Sequence, residues 1–144
     1  MRTFYLFEIK QNILKNYKYH YGELYSILES IYNRSNEDIV LCYDVFNAIV
    51  NPINKNEINN YIKKKNLGEQ NYICYNYTHS INDYYLDEYT KMYINNSHIK
   101  IDTNKNAPSF FSDIRKIKNI FVCDFDNHDY FLLEKALYKS CINI

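Results

Sequence analysis

Residues 3–9, TFYLFEI, and residues 22–32, GELYSILESIY, decide the fold of this chain. The first run is rich in aromatic and β-branched side chains, which is typical of a strand buried on at least one face. The second run carries an apolar stripe at the spacing of an amphipathic helix. The stripe consists of Leu24, Ile27, Leu28 and Ile31. A strand that leads into such a helix predicts an α+β fold, a two-layer domain with two or three helices packed on a mostly antiparallel sheet.

The composition predicts one globular domain spanning residues 1–144. Hydrophobic residues make up 47% of the chain and charged residues 24%, a balance typical of folded proteins. Lys plus Arg and Asp plus Glu each total 17, so the formal net charge is zero. A nucleic-acid-binding protein normally carries a basic surplus that displaces counterions from phosphates. Direct nucleic-acid binding is therefore not predicted.

The cysteines indicate a reducing compartment. Cys42, Cys74 and Cys123 lie inside apolar runs, where a free thiol behaves as a small hydrophobic group, and none of the four cysteines forms a CxxC pair with another.

The first residues lead directly into the predicted strand without the pattern of a signal peptide, and no apolar run approaches the length that spans a bilayer. These features predict a cytoplasmic protein without membrane contact.

Residues 10–21, KQNILKNYKYHY, connect the first strand to the helix. The apolar and aromatic side chains in this segment are spaced so that a helical turn can begin here, and they are Ile13, Leu14, Tyr17 and Tyr21. Two interpretations stay open. These side chains cover the end of the core, or several remain exposed as an adhesive face, for which tyrosine is a favoured residue.

The next segments combine one ambiguous element with one clear helix. A polar turn at residues 35–38 precedes residues 39–50, IVLCYDVFNAIV, whose first half favours a strand and whose second half suits a helical turn. The sequence Asn51-Pro52 ends this element because a residue before proline avoids the helical region. Asn54 and Glu57 then form the pattern of a capping box, which predicts a helix that continues to Lys65.

The second half of the chain predicts a sheet with one more helix. Strands are predicted at residues 71–77, 86–94, 98–101 and 119–124, followed by an edge strand or short helix at 130–133. The polar break between the second and third of these suits a hairpin turn. Ala107-Pro108 opens a helix whose apolar side carries Phe110, Phe111, Ile114 and Ile117.

One catalytic alternative deserves comparison with these structural interpretations. Residues 121–126, FVCDFD, resemble the nucleophile loop of haloacid-dehalogenase phosphatases, in which the first carboxylate attacks phosphorus and the second transfers the leaving-group proton. Asn127-His128 does not continue that motif, so Asp124 and Asp126 are more simply explained as part of a polar hairpin. A small Asp-dependent phosphohydrolase stays the least favoured hypothesis.

Metal and cofactor sites are not predicted. A calcium loop that began at Asp124 would need glycine and glutamate where the chain has Asp129 and Lys135. The four histidines show neither HxH nor HExxH spacing, and two glycines in the whole chain exclude a glycine-rich phosphate loop. The sequence therefore predicts a protein that acts by contact.

The order of several segments resembles the sporulation inhibitor of replication family, SirA, of endospore-forming Firmicutes. Residues 4–10, FYLFEIK, form an aromatic strand before a Tyr-rich segment and a helix. Residues 48–53, AIVNPI, lead into a second helix. Residues 110–117, FFSDIRKI, precede a strand and then residues 124–130, DFDNHDY. Together the segments cover nearly the full length.

The resemblance implies an inhibitor of DNA replication initiation without a cofactor or catalysis, which binds domain I of the replication initiator DnaA at the onset of sporulation. The implied contact residues lie in two patches, one near the start of the first helix and one just before the Asn-Pro turn. They correspond to Ile13, Tyr17, Val45 and Ala48, and the apolar turn predicted from the residues themselves adds Leu14 to the first patch. The alternative is a cytosolic interaction domain of the same fold with a different partner.

Overall fold

The computed structural model describes residues 1–34 and 39–136, which form an antiparallel eight-stranded sheet with five helices. The strands are β1 (Arg2–Ile9), β2 (Val50–Asn51), β3 (Tyr72–Tyr75), β4 (Thr78–Asp83), β5 (Glu88–Ile94), β6 (Ile99–Thr103), β7 (Ile120–Asp124) and β8 (Asp129–Leu132). The helices are α1 (Gln11–Asn16), α2 (Tyr21–Arg34), α3 (Ile39–Ile49), α4 (Lys55–Lys65) and α5 (Phe110–Ile114). The predicted α+β class and the mostly antiparallel sheet are confirmed.

Strand β1 lies inside the sheet, whose strand order is β3-β4-β5-β6-β1-β7-β8. One side of β1 pairs with β6 and then with β2, and the other side pairs with β7. Alternate residues of β1 belong to two separate apolar clusters: Phe4 and Leu6 to one, Phe7 and Ile9 to the other. Since successive side chains of a strand point to opposite faces, both faces of β1 are buried.

Helices cover both faces of the sheet, so the domain has three layers where two were predicted. The cluster around Phe4 and Leu6 includes residues of α4 and α5, whereas the cluster around Phe7 and Ile9 includes residues of α1, α2 and α3. The physical reason is the two-sided apolar character of β1, which requires cover on each face. The predicted helix is confirmed as α2, although it begins at Tyr21, before the predicted start.

The ambiguous segment after the polar turn is a helix. Its first half, predicted as a strand, belongs to α3 (Ile39–Ile49), so that prediction was wrong. The local β preference is overridden because α3 packs on the sheet, with the ring of Phe46 5.8 Å from that of Phe7. The helix ends before Asn51-Pro52 as predicted, and β2 pairs Ile9 with Val50. The predicted polar turn at residues 35–38 lies outside the described residues.

Helix α4 starts with the predicted cap. The side chain of Asn54 accepts a 3.3 Å hydrogen bond from the backbone N–H of Glu57, and its amide donates a 2.7 Å hydrogen bond to Glu57 Oε2. These two bonds satisfy an orphan donor of the first turn and place a carboxylate at the positive end of the helix.

In the second half, the predicted strand at residues 71–77 is shorter than expected. A turn at Asn76, which has a φ of 54°, separates β3 from β4, and β4 was not predicted as a strand of its own. The β5–β6 hairpin and the β7 and β8 strands are confirmed, with β8 at one edge of the sheet. The predicted helix at 107–117 is reduced to α5 (Phe110–Ile114).

Candidate partner-binding site

Helix α1 joins the end of β1 to the start of α2 and lies beside the end of α3. The backbone N–H of Lys10 donates a 2.9 Å hydrogen bond to the carbonyl of Ile49, and the N–H of Leu14 donates one of 2.9 Å to the carbonyl of Lys10. The first bond connects α1 to α3, and the second begins the helix. The chain therefore places both predicted patches at the same end of β1.

The three predicted residues of the first patch differ in exposure. Leu14 is 8% exposed and belongs to the apolar cluster of Phe7 and Ile9. Ile13 and Tyr17 are half-buried and pack against the edge of that cluster. Leu14 therefore holds α1 on the sheet and is not part of an exposed surface, which agrees with the interpretation that this segment covers the core. Ile13 and Tyr17 retain accessible surface.

The two predicted residues of the second patch lie in α3. Val45 is half-buried against the same cluster, and Ala48 is exposed. Tyr43, also in α3, is 66% exposed. Because residues two positions apart point about 200° apart around a helix, Tyr43 lies on a different side of α3 from Val45.

We call Ile13, Tyr17, Val45 and Ala48 the α1–α3 surface. Ile13 lies in α1, Tyr17 directly follows α1, and Val45 and Ala48 lie in α3; three of the four, all except Ala48, pack around one apolar cluster on one face of the sheet. The two patches predicted from separate parts of the sequence are therefore brought to one side of the molecule. Partly buried apolar side chains among exposed polar ones are typical of a small recognition surface.

A groove between α2 and α3 continues from this surface. Its volume is about 230 Å³, and it is lined by Ile27, Ser30, Ile31, Arg34, Cys42 and Val45. The sequence analysis assigned Ile27 and Ile31 to the buried stripe of α2, whereas both are half-buried. The inner half of the stripe, Leu24 and Leu28, is buried as predicted.

The two aspartates of the phosphohydrolase hypothesis have separate environments. Asp124 is 1% exposed, and its Oδ2 accepts hydrogen bonds from Arg2 Nε at 2.9 Å and from Asn127 Nδ2 at 2.7 Å. Burial raises the pKa of the Asp124 carboxyl, but the hydrogen bonds from Asn127 and Arg2 outweigh it and hold the pKa below its usual range. Asp126 is exposed. Asp124 is thus engaged in structural contacts, and the two carboxyl groups differ in exposure.

A buried polar group lies under the other half of the sheet. His79 Nε2 donates a 2.6 Å hydrogen bond to Asn59 Oδ1, and His79 Nδ1 accepts one of 2.6 Å from the Tyr72 hydroxyl. Burial and the nearby Lys63 lower the pKa of His79 to about 4. Within residues 1–34 and 39–136, no three His, Cys, Asp or Glu side chains are grouped closely enough to hold a metal ion. No helix in these ranges has the length and apolar character needed to span a bilayer.

A comparison with known protein families identifies the family of this chain. The model of the family described as sporulation inhibitor of replication protein SirA matches residues 2–136. The chain belongs to the SirA family. The match covers every strand and helix named above, so the resemblance noted from the sequence order is confirmed. SirA proteins are inhibitors of replication in sporulation. No curated protein sequence matches the chain.

Proposed function

We propose that this protein inhibits replication initiation by binding domain I of the initiator DnaA through the α1–α3 surface. The observation that carries the proposal is the position of Ile13 and Tyr17 beside the end of the helix that bears Val45 and Ala48. Membership of the SirA family supports the inhibitory role. The proposal assigns the protein no catalytic step: it acts by occupying a surface that the initiator needs.

The chemistry of the surface suits a reversible contact. Ile13 and Tyr17 provide a small apolar area, and exposed polar residues surround it, among them Asn12, Asn16 and Asn47. Interfaces of this kind concentrate their binding energy in a few central side chains, of which tyrosine is a frequent example. Tyr17 is the aromatic side chain of this surface and is therefore its predicted hot spot.

The test is calorimetric titration of the purified protein with DnaA domain I from the same organism. The wild type is compared with Tyr17→Ala and with Tyr75→Ala. Tyr75 is an exposed tyrosine of the edge strand β3, so its replacement is a matched control. Tyr17→Ala is expected to weaken binding by about 2 kcal/mol or more, as for a hot spot, while Tyr75→Ala changes little.

A second variant separates loss of contact from loss of fold. Ala48 is exposed on α3, and Ala48→Glu keeps a strong helix former while it places a charge and a larger side chain in the surface. Its melting temperature is expected to stay within a few degrees of the wild-type value while binding weakens. Absence of wild-type binding at high micromolar concentrations would rule out DnaA domain I as the partner. Equal losses of affinity for Tyr17→Ala and Tyr75→Ala would rule out the α1–α3 surface as the binding site.

A further inference from the structure

A basic pocket lies on the side of α1 that carries Lys15, away from Ile13. Its volume is about 350 Å³, and its lining includes Leu14, Lys15, Lys18, Leu132, Glu134 and Lys135. Leu14 and Leu132 are buried and belong to the core, so the apolar floor is fixed by the fold. The three lysines are exposed and stand around the opening. Neither Ile13 nor Tyr17 lines this pocket.

The charges around the pocket are unbalanced. The lining has three lysines and one carboxylate, that of Glu134, and Glu134 Oε1 already accepts a 2.8 Å hydrogen bond from the backbone N–H of Asn119. In the part of the chain that the structure describes, the side-chain ion pairs involve Arg2 and His128 and none of these lysines. Since the whole chain is neutral, the pocket is a local positive site, and the remaining charged residues carry a small negative excess.

We propose that this pocket receives an acidic side chain of the same partner that contacts the α1–α3 surface. The inference rests on the proposed function and adds to it the charge of the partner. Helix α1 is six residues long, with Ile13 on one side, Lys15 on the other, and exposed Asn12 and Asn16 between them. A partner surface that covers this short helix therefore contacts the side of Ile13 and the side of Lys15 together.

An acidic protein group fits the pocket better than nucleic acid does. A nucleic-acid backbone requires a row of cations along an extended path, whereas these lysines surround a single opening beside an apolar surface. An apolar contact with a charged rim is the usual organisation of protein interfaces. Because the three lysines are exposed, they act mainly on the rate of association and on its salt dependence.

The experiment compares two pairs of charge reversals that leave the same net charge. Lys15→Glu/Lys18→Glu alters the pocket, and Lys63→Glu/Lys64→Glu alters two exposed lysines of α4 on the opposite face of the sheet. Lys15→Arg/Lys18→Arg keeps the charge of the pocket. Binding to DnaA domain I is measured at pH 7.5 in about 50 mM and about 500 mM salt, together with the melting temperature of each variant.

The pocket variant is expected to bind about tenfold more weakly at low salt, chiefly through slower association, with the difference reduced at high salt where charges are screened. The α4 variant and the arginine variant are expected to bind within about twofold of the wild type. If the pocket and α4 variants lose affinity equally while the wild type binds, the pocket has no specific role and the inference is overturned, although the proposed function stands. If the wild type does not bind, both are overturned.

Discussion

The backbone N–H of Lys10 lies 2.9 Å from the carbonyl oxygen of Ile49 and joins the first residue after β1 to the last turn of α3. This bond connects segments that are distant in the sequence and that each carry one of the predicted contact patches. It continues the β1–β2 pairing, in which Ile9 faces Val50. The orientation of α1, and with it the positions of Ile13 and Tyr17, therefore depends on the pairing of β1 with β2.

Replacement of Leu14 by alanine is predicted to destabilise the fold. Leu14 is buried among core residues of β1 and α2, so its truncation leaves a cavity and lowers the free energy of unfolding by about 2 to 4 kcal/mol. Urea denaturation of Leu14→Ala measures this change. The control is Tyr19→Ala, because Tyr19 is 83% exposed in the turn that follows α1 and is expected to change stability by less than about 0.5 kcal/mol. Equal stabilities of the two variants would contradict the assignment of Leu14 to the core.

The fold class could be predicted from the sequence because β1 and α2 carry clear periodic patterns. The third layer was not predicted, although the sequence contains its signal: residues 3–9 are apolar at positions of both parities, which makes both faces of β1 apolar. The prediction of a strand at the start of α3 was wrong for a different reason. Local preference of β-branched residues is weak compared with the packing of Phe46 and Ile49 on the sheet.

The contact surface could be predicted only in part. Ile13 and Leu14 are adjacent apolar residues in a short helix, and adjacent helical side chains point about 100° apart. Which of the two faces the sheet depends on the direction in which the chain leaves β1, and sequence spacing does not contain that direction. The basic pocket could not be predicted from the sequence either. Lys135 lies far from Lys15 in the sequence, and the pairing of β7 with β8 brings both residues to the same pocket.

Glu88 is predicted to be a structural carboxylate whose loss destabilises the domain. It is 3% exposed and accepts hydrogen bonds from the Thr90 hydroxyl at 2.6 Å, from the Ser109 backbone N–H at 3.0 Å and from the Ser109 hydroxyl. Glu88→Ala would leave the buried Thr90 hydroxyl and the two part-buried donors of Ser109 without this acceptor and lower the free energy of unfolding by about 2 to 4 kcal/mol. Urea denaturation measures the loss.

The matched control for Glu88 is Glu69→Ala, which removes a carboxylate from an exposed turn after α4. Its effect on the free energy of unfolding is expected to stay below about 0.5 kcal/mol. Glu88→Gln, which keeps the acceptor oxygen but removes the charge, is expected to fall between the two. A Glu88→Ala variant as stable as Glu69→Ala would show that water replaces the carboxylate at the start of α5.

Stability is predicted to fall as the pH is lowered from neutral towards 4, in large part through His79. Its pKa is lowered to about 4 in the folded protein, mainly by burial, whereas an unfolded histidine titrates near 6.5. The stabilising contribution is present above pH 6.5, where both states are neutral, and it is lost as the pH falls through 6.5 towards 4, because the unfolded chain binds the proton first. Between pH 7 and pH 4.5 the loss amounts to about 2 kcal/mol.

The contribution of His79 is isolated by comparing the wild type with His79→Gln and His20→Gln in urea at pH 7 and pH 4.5. Burial also lowers the pKa of His98 and raises that of Asp113, and the pKa of Asp124 is lowered, but all three groups are present in all three proteins, so their effects cancel in the comparison. His20 is exposed in the turn after α1, and its variant is expected to keep the wild-type decline. His79→Gln is expected to be less stable at pH 7, because Tyr72 and Asn59 lose a well-placed partner, and to decline less on acidification. An unchanged decline in His79→Gln would assign the acid sensitivity to other groups.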